Sequence, residues 1–139
     1  MSQSSIQSYL FFRGRCEEAI EFYKVALGAK VEMLIRHKDS PEPPAPGFLP
    51  EGYENKIMHA SFQIGNSTIM GSDGCGEEGT FDGFCLSLNL ATEAEVDKVF
   101  AALSEGGKVN MPPGKTFWSP KFGMVEDRFG VEWMVLVEE

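Results

Sequence analysis

The chain has 139 residues, 42% of them hydrophobic, and carries a formal net charge of −9 from 21 Asp and Glu against 12 Lys and Arg. A chain of this length makes one domain and buries roughly 70% of its unfolded surface, enough for a proper core. The acidic balance opposes the phosphate neutralisation that nucleic-acid binding requires, and no apolar run approaches the roughly 20 residues of a membrane helix, so nucleic acid and membrane are set aside as partners.

The N-terminal stretch Met1 to Ser5 is polar and uncharged, unlike a secretion signal. Cys16, Cys75 and Cys85 are odd in number and form no C-x-x-C pair, which fits free thiols in a reducing cytoplasm. Ser5 to Phe12 reads as a strand with Ser8, Leu10 and Phe12 on one face and Tyr9 and Phe11 on the other. A helix is predicted from Glu17 to Leu27, with Ala19, Phe22, Tyr23 and Ala26 as its apolar stripe, acidic residues in its first turn and Gly28 at its end. Ala29 to Arg36 is the next strand. The Pro-rich stretch from Asp39 to Gly47 cannot enter a sheet interior and reads as a long extended loop, either a lid or an ordinary insertion.

Lys56 to Ile64 and Ser67 to Ser72 form a predicted hairpin around Gly65-Asn66. Its first strand splits into an apolar row, Met58, Ala60, Phe62 and Ile64, and a second row, Ile57, His59, Ser61 and Gln63. A glycine-rich linker runs to Gly83; without a following G-K-[ST] it makes no phosphate loop. Phe84 to Leu90 alternates cleanly, with Cys85, Ser87 and Asn89 on its polar side. Thr92 and Glu95 supply a capping box, Val96, Val99, Phe100 and Leu103 a buried stripe, and Gly106-Gly107 a stop. The last hairpin pairs Phe122–Glu126 with Val131–Val137 across Asp127-Arg128-Phe129-Gly130. Its apolar row, Val131, Trp133, Val135 and Val137, suits contact with a helix layer. Glu132 on the other row with Met134 and Leu136 argues that the second face lines something wet, such as a ligand cleft.

The two halves are related. Gly28, Lys30, Val31 and Met33 recur as Gly106, Lys108, Val109 and Met111 at a constant offset of 78 positions, and the helix stripes correspond one position closer. Each half therefore runs strand, helix, strand, strand, strand, and one half cannot cover both faces of its own sheet.

Three segments, G-R-C-E-E-A-I-E-F-Y-K-V-A-L-G (Gly14 to Gly28), K-I-M-H-A-S-F-Q-I-G-N-S-T-I-M-G-S-D (Lys56 to Asp73) and F-W-S-P-K-F-G-M-V-E-D-R-F-G-V-E-W (Phe117 to Trp133), together resemble the PhnB-like branch of the vicinal oxygen chelate superfamily. That superfamily includes glyoxalase I, extradiol dioxygenases, and fosfomycin and bleomycin resistance proteins. The resemblance implies an α+β fold in which two βαβββ modules, 1–72 and 84–139 joined by a linker 73–83, form curved mixed sheets around a cleft with helices on the outer face. It also implies a homodimer. Metal-dependent members place one ligand on the first and last strand of each half, and those positions fall on Ser8, Met70, Cys85 and Met134. Such a set should not hold a hard or borderline divalent ion, so no metal or other cofactor is expected. Its thioethers and thiol could suit Cu(I), but Met and Cys filling a pocket wall is the plainer reading.

The resemblance places Ser8, Leu10, Phe12, His59, Ser61, Gln63, Thr68, Met70, Cys85, Ser87, Asn89, Met134 and Trp118 along the cleft. The function it implies is a cytoplasmic, metal-free small-molecule-binding protein. The alternative is a lyase, isomerase or dioxygenase working through His59 and Glu132, by acid/base chemistry or with a metal held there; each residue is equally readable as a wall or strand-end group. Two activities linked to the branch find no support in the residues. S-adenosylmethionine sites use a strand, glycine-rich turn and helix within a parallel sheet, which the chain's start lacks. A phosphonate would want Arg or Lys in the cleft rows, which contain none; Lys121 and Arg128 lie in turns beyond them.

Overall fold

The computed structural model describes residues 4–41, 47, 50–74, 76 and 78–138. Most of the Pro-rich stretch, and Cys75, lie outside the described residues. The fold is α+β, built from two βαβββ modules. The first contains β1 (Ser8–Phe11), α1 (Cys16–Leu27), β2 (Lys30–Arg36), β3 (Ile57–Ile64) and β4 (Ser67–Ser72); the second contains β5 (Leu86–Leu90), α2 (Glu93–Ser104), β6 (Lys108–Gly114), β7 (Phe122–Glu126) and β8 (Glu132–Val137). Each has one four-stranded mixed sheet, in the orders β1-β4-β3-β2 and β5-β8-β7-β6, with a parallel outer pair and two antiparallel hairpins. The chain separates into two compact units, Met1–Gly79 and Thr80–Glu139, and the division falls inside the stretch read as a linker.

The duplication extends to an irregularity. β2 slips register against β3 between Val31 and Met33, and β6 slips against β7 between Val109 and Met111, at the same offset as the sequence repeat. A bulge bends and twists its strand, and edges are where bulges concentrate because they spoil the template for further pairing. Both bulged strands are sheet edges.

The helices form where local chemistry directs them. Gly28 takes a left-handed conformation (φ 68°) and donates to the Lys24 carbonyl, while the Ala29 amide reaches the Tyr23 carbonyl, closing α1. Thr92 Oγ1 accepts from the Glu95 amide at 3.1 Å and donates to the Glu95 carboxylate, capping α2. The buried stripe of α2 is Val96, Phe100 and Leu103, with Val99 half-buried. That of α1 is Cys16, Ala19, Ile20 and Tyr23, so Ile20 and Cys16 replace the expected Phe22 and Ala26, which are half-buried. The rotation follows the aromatic layer beneath: Tyr23 lies 6.2 Å from the Phe12 ring and stacks 6.0 Å from Phe62. Each such ring removed from water contributes about 1.5–3 kcal/mol.

β1 is oriented opposite to the expected lining. Leu10 and Phe12 are 3% and 2% exposed, in the layer facing α1, and Ser8, which pairs with Ile69, shares their side. Tyr9 and Phe11 occupy the open face. Both rows of this strand are apolar, so alternation alone could not choose between them; Gly71 decides it. A Cβ there would come 2.9 Å from the Phe12 ring and 3.0 Å from the Leu10 carbonyl, so a glycine makes the space that Phe12 fills. On β3 the buried row is Ile57, Ala60, Phe62 and Ile64. Ile57 replaces Met58 because the β2–β3 register shifts next to it, pairing Arg36 with Ile57 and Ile35 with His59.

A buried carboxylate organises the first unit. Asp73, 1% exposed, accepts from the Cys16 amide through Oδ1 (2.7 Å) and from the Ile57 amide through Oδ2 (2.6 Å), and its own amide donates to the Ile57 carbonyl. The start of α1, the start of β3 and the end of β4 thus meet on one side chain. In the second unit Asp127 accepts from the Phe129 and Val131 amides and from Trp133 Nε1 (2.9 Å), locking the last turn onto β8. Asp73→Ala would leave two buried amides without acceptors, at about 1–3 kcal/mol each. A urea titration is expected to show a stability loss of about 2–5 kcal/mol; an unchanged midpoint would refute the role given to this carboxylate.

Candidate functional site

In the first unit, strand pleating brings Tyr9 and Phe11 from β1, His59, Ser61 and Gln63 from β3, and Thr68 and Met70 from β4 onto the sheet face opposite α1. Register fixes the neighbours: Tyr9 lies beside Met70, Ser61 beside Met70 on the other side, and Gln63 beside Thr68. Tyr9 and Phe11 remain 37% and 57% exposed. The Tyr9 hydroxyl is 3.1 Å from His59 Nδ1 and the two rings are 5.5 Å apart, while Tyr9 and Phe11 are 5.2 Å apart. His59 is therefore held by a phenol that the sequence reading assigned to the covered side.

At the C-terminal ends of β1 and β4 this face gives way to an open pocket of about 480 Å³ lined by Phe11, Arg13, Asp73, Gly74, Gly76 and Glu78. None of these six was expected to line a site. Arg13 is the one non-glycine residue with positive φ among the described residues, at 55°, and its Nη1 donates to the Phe11 carbonyl at 3.3 Å. Gly74, at φ 68°, lies under Phe11, where a Cβ would stand 3.5 Å from the ring. The signal that could have found the pocket is Arg13-Gly14 directly after a strand whose outward residues are aromatic.

In the second unit the face opposite α2 carries Ser87, Asn89, Met134, Leu136, Met124 and Phe122, aligned by the pairings Ser87 with Met134, Asn89 with Leu136, Met124 with Met134 and Phe122 with Leu136. Trp118 stands edge-on to Phe122 at 5.4 Å and is 46% exposed, with Phe117 beyond it at 93%. The turn that presents them is built by Ser119, 1% exposed, whose hydroxyl donates to the Val137 carbonyl at 2.7 Å and whose amide donates to Thr116 Oγ1. Glu132 accepts from Asn110 Nδ2 at 3.0 Å. His59 and Glu132, paired in the sequence reading, belong to different units and each has its own neighbour.

Both described thiols are suppressed. Burial, then the charges of Asp73 and Glu17, push Cys16 far above the usual thiol range. Burial, then Glu132, raises half-buried Cys85. Neither has the electropositive surroundings that make a nucleophilic cysteine.

The divalent metal implied by the superfamily does not fit these donors. Of the four positions carried over, Ser8 pairs with Ile69 on the covered face, while the open-face neighbours are Tyr9 with Met70 and Ser87 with Met134. Among the described residues no three His, Cys, Asp or Glu side chains gather where they could hold an ion. Phenol, hydroxyl and thioether are poor ligands for such ions. A site for S-adenosylmethionine is equally absent from the described sheets, since neither is the helix-interleaved parallel sheet such cofactors use.

The family model for 3-demethylubiquinone-9 3-methyltransferase matches residues 4–136. The chain is 34% identical over 138 residues to protein YjdN of Escherichia coli, spanning 95% of this chain and 94% of that one. Among solved structures it is similar to protein PA1353 from Pseudomonas aeruginosa, at 40% identity and a TM-score of 0.81 over 96% and 98% of the two chains. The PhnB protein from Bacillus cereus is 28% identical, with a TM-score of 0.78 over 96% and 99%. A glyoxylase/bleomycin resistance protein/dioxygenase domain from Frankia shares the fold at 14% identity, with a TM-score of 0.67 over 99% and 98%.

A thiol with a raised pKa holds less thiolate at any pH below that value, so native Cys85 is expected to react with iodoacetamide at pH 8 more slowly than a cysteine in an unstructured peptide. Glu132→Gln should accelerate it, and Cys16 should react only in denaturant. Mass spectrometry of the alkylated peptides reads all three; rapid labelling of native Cys16 would contradict its burial.

Proposed function

We propose that this chain, which belongs to the 3-demethylubiquinone-9 3-methyltransferase family and so to the PhnB-like branch of the vicinal oxygen chelate superfamily, is a binding protein for a small organic molecule. The observation that carries the proposal is the pocket of about 480 Å³ opening beside the Tyr9–His59 pair. Small-molecule sites span roughly 300–1,000 Å³, and the described lining of this one sets the aromatic ring of Phe11 beside the charged groups of Arg13, Asp73 and Glu78. Tyr9 and Phe11 offer stacking surface, and His59, Ser61 and Gln63 offer hydrogen bonds along the adjoining sheet face. Binding of this kind needs no metal, which agrees with the donor set on the open faces.

Self-association belongs to the same reading. The edge strands β2 and β6 expose Val31, Met33, Val109 and Met111, between 36% and 47% each, and covering such edges with a second copy of the chain removes apolar surface from water. Free Cys85 suits a reducing compartment, and we place the protein in the cytoplasm; among the described residues no helix is long and apolar enough to cross a membrane.

Melting curves with EDTA, with Ni²⁺, Mn²⁺, Fe²⁺ and Zn²⁺, and with a small-molecule library test this directly. A binder at 100 times its dissociation constant adds about 2.7 kcal/mol. The expected result is stabilisation by particular small molecules, with no response to EDTA or to any ion. One equivalent of bound metal together with a melt lowered by EDTA would overturn the proposal and make metal-dependent catalysis the leading reading. His59→Ala is expected to change ligand affinity modestly with the fold intact. Light scattering on a sizing column reads the oligomer, with a dimer expected.

A further inference from the structure

The open sheet face beside the pocket marks the chemical class of the ligand. Register sets Met33, Ser61, Met70 and Tyr9 side by side, one from each strand of the first sheet, with Ile35 beside His59 and Gln63 beside Thr68 in the flanking rows. The surface so formed is aromatic, thioether and neutral polar; a full charge enters only with Lys30, exposed at the edge opposite Gln63. Among the described residues, half-buried Ser61, Gln63 and Thr68 have no side-chain hydrogen bond, and His59 has one, to Tyr9. That bond decides what His59 presents. An imidazole nitrogen is a stronger acceptor than a phenol oxygen, and a phenol is the stronger donor, so the Tyr9 hydroxyl donates to Nδ1 and the proton of the neutral ring stays on Nε2, which is left to donate. Building on the proposed binding function, we infer that this face and the adjoining pocket take a neutral planar molecule, with a carbonyl or equivalent acceptor on His59 Nε2 and its ring against Tyr9 and Phe11. Those two rings, 5.2 Å apart and both partly exposed, supply the area. An anion is disfavoured by the described pocket lining, where Asp73 and Glu78 outnumber Arg13. A cation is disfavoured as well. It would meet an N–H where it needs an acceptor, both oxygens of Asp73 are taken by the Cys16 and Ile57 amides, and water screens exposed Glu78.

The probes share nearly one shape: benzamide and acetophenone are neutral with a carbonyl, benzoate is an anion and benzamidine a cation. In amide-resolved NMR titrations of the full chain, benzamide and acetophenone are expected to bind more tightly than the two ions, shifting the resonances of Tyr9, Phe11, His59 and Ser61. Library hits should be of the same neutral, acceptor-bearing kind. Long-range proton–nitrogen spectra of the imidazole at pH 8 should show the His59 proton on Nε2. His59→Ala should weaken benzamide by about fivefold, and His59→Gln, whose amide can stand in for the Nε2 donor, should recover part of the loss. Tyr9→Phe keeps the ring but releases the imidazole, and should weaken benzamide about twofold. A proton on Nδ1, an ion binding as tightly as benzamide, or benzamide affinity unmoved by both His59→Ala and Tyr9→Phe would overturn the inference while leaving a small-molecule binder standing. Library hits confined to charged compounds, or to neutral ones without an acceptor, would do the same. If neither these probes nor any library compound binds, and the resonances of this face move only with protein concentration or not at all, the inference and the proposed function fall together.

Discussion

The first unit depends on one buried carboxylate. Taking a carboxylate out of water is costly unless its oxygens are met, and Asp73 meets that condition by accepting two short hydrogen bonds from the amides of residues 57 and 16 positions away in the chain. A helix start has amides without intrahelical partners, and the first amide of β3 lies beyond the sheet ladder. Asp73 satisfies one of each. Because the same residue follows β4 directly, it sets where the strand stops and where the pocket begins: Gly74 turns away from it, and Phe11 and Arg13 close the other side. Structural anchor and pocket wall are one side chain.

The second unit shares the topology and the bulge but solves its own anchoring differently. Its carboxylate, Asp127, sits in the β7–β8 turn and takes the indole of Trp133, so that the last strand is clamped at its start rather than its end. Ser119 then ties the preceding turn to Val137, the far end of the same strand. With both ends of β8 tied, Trp133 and Val135 lie on the side facing α2, and Met134 and Leu136 are presented on the opposite side beside Met124 and Phe122. Duplicated backbones have therefore diverged at the loops that position side chains, as expected where function is carried by loops on a common scaffold.

Much of the fold was legible in the residues. The helix boundaries at Gly28 and Thr92, the final hairpin with its buried row of Val131, Trp133 and Val135, and the repeat of Gly28-to-Met33 in Gly106-to-Met111 all follow from short-range chemistry. The candidate site was legible in part: His59, Ser61, Gln63, Thr68, Met70, Ser87, Asn89 and Met134 lie on the open faces. Leu10 and Phe12 do not, because β1 carries apolar residues in both rows and only Gly71, across the sheet, selects which row is covered. Ile57 was misplaced because a register shift breaks strict alternation. Arg13 and Asp73 were missed because Arg13 lies between the first strand and the first helix, where no periodicity acts, and Asp73 opens the stretch read as a linker.

What the sequence by itself determined is the list of elements, their duplicated order and the family, since alternation, capping residues and glycine stops act within a few positions. What only the tertiary structure decided is which face of β1 is buried, where Tyr9 meets His59, and that Arg13 and Phe11 share a pocket. Each of these rests on a partner far along the chain, Gly71 for Phe12, His59 for Tyr9, Cys16 and Ile57 for Asp73, and no periodicity within a segment encodes a contact that forms only when distant segments pack.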